Sequence, residues 1–179
     1  MTPDPRLGTR AVRRVIYSQP DIECRVEELG REITTAYPDG DLVLIGLLKG
    51  SVFFLTDLAR HIRRPLQIDF LVAHSYGKGK VSSGEVRVRY EPSISLAGRH
   101  ILVVEDIIDS GRTLGFLLDR LRSAGPKSLA VCALLDKRLG APPPELRFVG
   151  FAAPPVFLVG YGLDHAEDFR HLPYIAEVD

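Results

Sequence analysis

The chain reads as an α/β protein built on a mainly parallel, twisted sheet with helices on both faces. Three observations predict this class. Strand–helix–strand units can be traced twice along the 179 residues. Their strands are apolar without alternation, as strands covered on both faces must be. Toward the C-terminus the pattern changes to short runs, "RFVGF" and "VFLVGY", separated by "AAPP". Parallel neighbours need a crossover, and a helix packed on the sheet supplies it.

In order along the chain, "MTPDPRLGTR" is rich in Pro, Gly and charge and is expected to be a flexible arm over 1–10. "SQPDIECRVEELGREITTAY" follows as a capped helix with Ile22, Val26, Leu29 and Ile33 on one face. "DLVLIGLL" (41–48) is the first buried strand. After "KGS", Val52, Leu55, Leu58, Ala59 and Ile62 recur at helical spacing until Pro65 closes that helix, and "LQIDFLVA" (66–73) resumes as a strand. "EVRVRYE" (85–91) alternates and is expected to be half-exposed. The second unit opens with Ile101–Val104, continues through a helix carrying Leu114, Leu117, Leu118 and Leu121, stops at "SAGP" and ends in "LAVCALL" (129–135). Residues 11–179 are expected to form one domain, with a core over about 38–140 and a small subdomain, mainly 141–179, over one sheet edge.

Composition excludes several classes. Net charge is zero, from 23 basic and 23 acidic residues, which argues against a generally basic nucleic-acid binder. Cys24 and Cys132 stand in no metal or redox spacing, and Cys132 lies inside an apolar run, so a reducing, cytoplasmic setting fits. Neither a signal-peptide pattern nor an apolar run of membrane-spanning length is present.

The chemistry concentrates in "ILVVEDIIDSGRTLGFLL" (101–118). Glu105 and Asp106 sit at the carboxyl end of a buried strand, where open parallel sheets bind their ligands. Residues 109–113 then form the turn into a helix, whose free N–H groups and dipole favour an anion such as phosphate. Gly111 allows close backbone approach, and Ser110 and Thr113 add hydroxyls. Carboxylates repel phosphate, so they need another partner. A sugar hydroxyl fits, and so does Mg²⁺, which binds carboxylate oxygen while sharing substrate phosphates. On these residues alone a solvated acidic loop before a common cap sequence explains the pattern equally well.

The stretch "VVEDIIDSGRT" resembles the phosphoribosyl-pyrophosphate signature of the type I phosphoribosyltransferases, in the variant of the hypoxanthine-guanine phosphoribosyltransferases. The resemblance continues in order through "LLKGS" (47–51), "HSYG" (74–77), "LLDKR" (134–138) and "FLVGYGLDHAEDFRHLPYI" (157–175). It implies a type I phosphoribosyltransferase fold with a hood over the active site, and a purine-salvage enzyme. Such an enzyme transfers the phosphoribosyl group to N9 of hypoxanthine or guanine, giving IMP or GMP and pyrophosphate.

The resemblance also implies roles. Glu105 and Asp106 face the ribose hydroxyls and a Mg²⁺ ion, with Asp164 a further metal-associated acid at the purine side. Asp109, Ser110, Gly111, Arg112 and Thr113 cradle the 5′-phosphate, and Asp109 doubles as general acid/base at purine N7. Lys49, Gly50 and Arg170 bind pyrophosphate, with a cis peptide expected next to Lys49. Ile107, Lys137, Phe157 and Leu158 surround the purine, Lys137 donating to its 6-oxo group and Phe157 stacking on the ring above Ile107. Residues 74–85, with Ser75 and Tyr76, form a lid that shields a cation-like centre from water. Taken singly, Lys49 and Lys137 are ordinary surface lysines and Phe157 and Ile107 ordinary core residues. Three positions depart from the family pattern: His74, Tyr90 and the Pro154-Pro155-Val156 run before the aromatic. The partners implied are phosphoribosyl pyrophosphate and a 6-oxopurine, without nucleic acid or membrane, in a homodimer or homotetramer. A xanthine- or pyrimidine-using relative, or a regulator of the same fold that binds nucleic acid, are the alternatives.

Overall fold

The computed structural model describes residues 4–7, 10–76, 85–109, 111–137 and 140–178. In chain order the elements are β1 (Arg14–Tyr17), α1 (Gln19–Ala36), β2 (Leu42–Leu48), α2 (Val52–His61), β3 (Leu66–Tyr76), β4 (Glu85–Tyr90), β5 (His100–Ile108), α3 (Arg112–Ser123), β6 (Ser128–Asp136), β7 (Leu146–Ala152), β8 (Leu158–Val159) and β9 (Ile175–Glu177). Six strands make the large sheet in the order β4-β3-β2-β5-β6-β7, all parallel except β4, which pairs antiparallel with β3. A second sheet, β1-β9-β8, is antiparallel.

The unbroken apolar runs are explained by what covers them. Along β2, Leu42 and Leu44 enter one core with Ile22, Val26, Phe54 and Leu58 of α1 and α2. Their neighbours Val43 and Ile45 enter a second core with Leu114, Leu117 and Leu121 of α3. β5 and β6 divide in the same way, so each successive side chain finds an apolar layer on its own face. Cys132 is buried in the first core, and burial pushes its thiol pKa up.

The helix starts follow local chemistry. Ser18 caps α1 in a reciprocal box: its hydroxyl accepts from the Asp21 N–H while the Asp21 carboxylate accepts from Ser18 N–H at 3.0 Å. α3 starts after Gly111, whose φ of +70° is left-handed, and no side chain among the described residues caps it. Its first-turn N–H groups are therefore left for something else.

The chain runs from β2 to β3 on one side, then crosses to β5 on the other side of β2. The reversal leaves a crevice beyond the carboxyl ends of β2 and β5. Lys49 and Gly50 follow the first of these strands, and Glu105 and Asp106 close the second.

Several expectations change. β3 runs three residues past Ala73, so Ser75 and Tyr76 belong to a strand paired with Val86 and Glu85 of β4. Residues 77–84 of the expected lid lie outside the described residues. β7, assigned by number to the expected small subdomain, belongs to the large sheet, and that subdomain recruits β1 from the other end of the chain. The expected arm is also docked where it is described: Tyr174 O–H donates to Asp4 at 3.0 Å, and Leu7 packs against Val159, Phe169 and Leu172. An apolar side chain in the arm gives it burial to gain, which outweighs the signal of its prolines.

Candidate active site

Two adjoining cavities occupy the crevice. The larger, of about 300 Å³, has Lys49, Gly50, Glu105, Asp106, Asp164 and Arg170 in its walls. The smaller, of about 160 Å³, is formed by Glu105, residues 107–109 and 111–114. Glu105 and Thr113 line both, so the two cavities join at these residues into one site, with Asp106 in the wall of the larger.

The strand side is held by the sheet. The Leu48–Lys49 peptide is cis, as the resemblance implies. Gly50 is buried, and a Cβ there would stand 1.7 Å from Asp106 Oδ2, so only glycine lets the β2 turn and the β5 carboxylate share this corner. Asp106 also accepts from the Ile107 N–H at 2.9 Å. Burial, followed by the charge of Asp106 beside it, raises the pKa of Glu105 well above the ordinary carboxylate range. Asp109 is exposed at the mouth, and Lys137, at the end of neighbouring β6, places Nζ 3.8 Å from its Oδ2.

The opposite wall is held by turns and ion pairs. Gly162 has φ +103°, and a Cβ on it would lie 1.9 Å from Gly50 O, so backbone meets backbone across the cavity rim. Arg170 locks this loop: its Nη1 donates to Gly162 O at 2.7 Å and its Nη2 reaches Asp164 at 2.8 Å. Its Nε is buried with no acceptor among the described residues. Tyr161 O–H donates to Asp57 of α2 at 2.7 Å and fastens the loop to the core below.

Thus Glu105, Asp106, Thr113, Lys49, Gly50, Arg170 and Asp164 meet in one cavity, and Ile107, Asp109, Gly111 and Arg112 adjoin it. Ser110 lies outside the described residues. Lys137 joins the site through Asp109. Phe157 and Leu158 are in the walls of neither cavity. Phe157 is 51% exposed and meets His165 edge-on, Ile107 packs on the core, and Leu158 is buried in β8. The expected metal trio is not assembled: among the described residues no three metal-binding side chains cluster, because Asp164 turns to Arg170.

Sequence patterns missed two buried acids. Asp69 in β3 accepts from the backbone N–H groups of Ser93 and Ile94, at 2.7 and 3.2 Å, and from the Tyr90 hydroxyl. The departure at Tyr90 thus has a structural use. Glu177 in β9 receives Arg13 and Arg14 at 3.0 and 2.7 Å and ties the two chain ends together. Glu167 was also passed over, although its carboxylate lies 2.9 Å from Lys49 Nζ. For Asp69 and Glu177 the deciding partners lie far along the chain, and for Glu167 a distant lysine joins the local Arg170.

Comparison with known proteins agrees with this geometry. The model of the phosphoribosyl transferase domain matches residues 14–166. The hypoxanthine-guanine phosphoribosyltransferase of Bacillus subtilis is 46% identical over 165 residues, covering 92% of each chain. The bifunctional protein TilS/HprT of Listeria monocytogenes is 45% identical over 92% of this chain, which spans 26% of that longer protein. The crystal structure of a hypoxanthine phosphoribosyltransferase from Staphylococcus aureus superposes with a TM-score of 0.89 at 37% identity, covering 94% of this chain and 92% of that one. The parallel sheet, the crevice at its reversal and these similarities lead to one conclusion: the chain belongs to the phosphoribosyltransferase family, in its hypoxanthine and hypoxanthine-guanine branch.

Proposed function

We propose that the chain is a purine-salvage enzyme that transfers the 5-phosphoribosyl group from phosphoribosyl pyrophosphate to N9 of hypoxanthine or guanine. The observation that supports it most is the pair of joined cavities: the cations Lys49 and Arg170 and the carboxylates Glu105 and Asp106 line one, and the start of α3 lines the other. Those groups match a diphosphate, a ribose and a 5′-phosphate.

In this reading the backbone of 109–113 and the Thr113 hydroxyl hold the 5′-phosphate at the start of α3. Lys49 and Arg170 take the pyrophosphate. Glu105 and Asp106 orient the ribose hydroxyls. Asp109 manages the N7 proton of the incoming base, with Lys137 near enough to fix its carboxylate and to donate to the 6-oxo group. A 6-amino group offers donors rather than an acceptor there, so adenine is disfavoured. Phe157 and Leu158 complete the purine side from the hood, and Ser75 and Tyr76 lead into the lid.

A magnesium ion fits the corner. Two adjacent carboxylates line the cavity, Asp106 against Gly50 and Glu105 pushed toward its neutral form, a charge conflict that a cation relieves. Glu105 and Asp106 would hold it, and its chemistry would be to neutralise charge on the departing pyrophosphate. Asp164 serves this ion only through Arg170. A homodimer or homotetramer in the cytoplasm is the setting we infer, and no helix of the described residues is long and apolar enough to cross a membrane.

The test is an assay with phosphoribosyl pyrophosphate, Mg²⁺ and one base at a time: hypoxanthine, guanine, xanthine, adenine and uracil. Turnover of hypoxanthine or guanine, with adenine and uracil inert, is the expected result. No turnover with any base, while phosphoribosyl pyrophosphate still binds, would overturn the enzyme and favour a regulator of the same fold.

A further inference from the structure

We infer that Glu167 is a resident counter-anion of the pyrophosphate subsite, a carboxylate that sits on Lys49 and Arg170 and must be displaced when pyrophosphate enters. The inference rests on the function proposed above and concerns a residue to which that function gives no role. Glu167 Oε2 lies 2.9 Å from Lys49 Nζ and 3.4 Å from Arg170 Nη2, so a single oxygen bridges the two cations. Those cations come from opposite walls of the cavity, one after β2 and one in the hood. The same pairing lowers the pKa of Glu167, the hydrogen bond from Lys49 being the largest cause.

The backbone supports a placed carboxylate rather than a chance contact. His165 and Asp168 exchange backbone hydrogen bonds at 3.2 and 3.1 Å, closing a two-residue turn with Ala166 and Glu167 at its centre. Both central residues are left-handed, with φ of +54° and +69°, a conformation that usually selects Asn or Gly. The Glu167 N–H donates to Asp164 Oδ2 at 2.8 Å, which fixes the turn beside the cavity. The chain therefore accepts a disfavoured backbone to put this side chain over the two cations.

Consequences follow from charge. Four carboxylates (Glu105, Asp106, Asp164 and Glu167) face Lys49 and Arg170 among the described residues lining the cavity. A diphosphate needs both cations, and Glu167 holds the same donors. Its side chain is 65% exposed, so it can swing into water without leaving a buried charge behind. Glu167 would thus weaken pyrophosphate in the resting site and speed its departure as it returns.

The experiment is calorimetric titration of magnesium pyrophosphate into the full chain, wild type against Glu167→Gln. The variant is expected to bind about two- to fivefold more tightly, the range of an exposed ion pair. It should also show a lower KM for phosphoribosyl pyrophosphate, stronger product inhibition by pyrophosphate, and an unchanged KM for the base. Equal or weaker pyrophosphate binding by a variant with wild-type Tm would overturn the inference while leaving the enzyme intact. Failure of the wild type to bind magnesium pyrophosphate at all would remove the subsite, and with it both the inference and the function on which it rests.

Discussion

The two walls of the site are built by different means. The strand wall, from β2 and β5, is set by parallel pairing in register, with Gly46 beside Val104 as the last pair before Glu105 and Asp106. Its carboxylates Glu105 and Asp106 stand on a strand of a sheet buried on both faces. The hood wall, residues 160–170, contains the left-handed Tyr161, Ala166, Glu167 and Phe169 and is held by Arg170, Asp164 and the Tyr161–Asp57 hydrogen bond. The strand wall thus carries the groups assigned to the sugar and the proton together with one cation assigned to pyrophosphate, Lys49, and the hood wall carries the other, Arg170.

Inserting one methyl on each wall separates these roles. Gly50→Ala drives a Cβ into the Asp106 carboxylate and must turn it out of the place it holds in the cavity. A loss of about 100-fold in kcat/KM is expected, the scale for catalytic groups misplaced by about 1 Å. Wild-type kcat/KM in that variant would show the strand wall to be as forgiving as the hood. Gly162→Ala places its Cβ against Gly50 O, so the hood turn has to shift away from the turn after β2. About a tenfold loss is expected, mostly as a higher KM for phosphoribosyl pyrophosphate, with roughly 1 kcal/mol of stability lost to the left-handed backbone. Steady-state kinetics and a urea melt read both. A larger loss at Gly162 than at Gly50 would reverse the contrast.

The smallest effect on activity is expected at Asp69, away from the chemistry. Burial raises its pKa, but hydrogen bonds donated by Phe70, Ser93 and Ile94 outweigh it and leave the group below its ordinary value. A carboxyl depressed in the folded state contributes stability above its unfolded pKa and loses it as pH falls through the folded one. Asp69→Asn should therefore cost about 1–3 kcal/mol at pH 7, with kcat nearly unchanged. The gap from wild type should narrow below about pH 4. A gap constant down to acid unfolding would show that the carboxylate charge does not matter.

The same contrast governs what could be read from the sequence. β2, β5 and β6 were legible because a strand covered on both faces has to be apolar throughout, and α3 because its leucines recur at helical spacing after a glycine. β3 was read short, since its last residues are polar and are carried on by pairing with β4. The hood strands were obscure for a related reason. β8 has two residues and β9 three, too few for periodicity, and β9 buries Glu177 because arginines more than 160 positions away neutralise it. Glu167 was hidden likewise: its significance lies in a lysine 118 positions earlier. Local patterns reveal elements that pack by periodicity and miss charges matched across the chain.

The most direct test of the central claim is the turnover of hypoxanthine and guanine by Asp109→Asn, with binding of phosphoribosyl pyrophosphate followed in parallel. Asp109 is exposed at the mouth of the site and reaches Lys137, so the change should leave the fold and the phosphate cradle intact. A drop in kcat of about 10²- to 10⁴-fold with near-normal substrate binding is the predicted result. Near wild-type kcat would contradict the assignment of the proton to the strand wall.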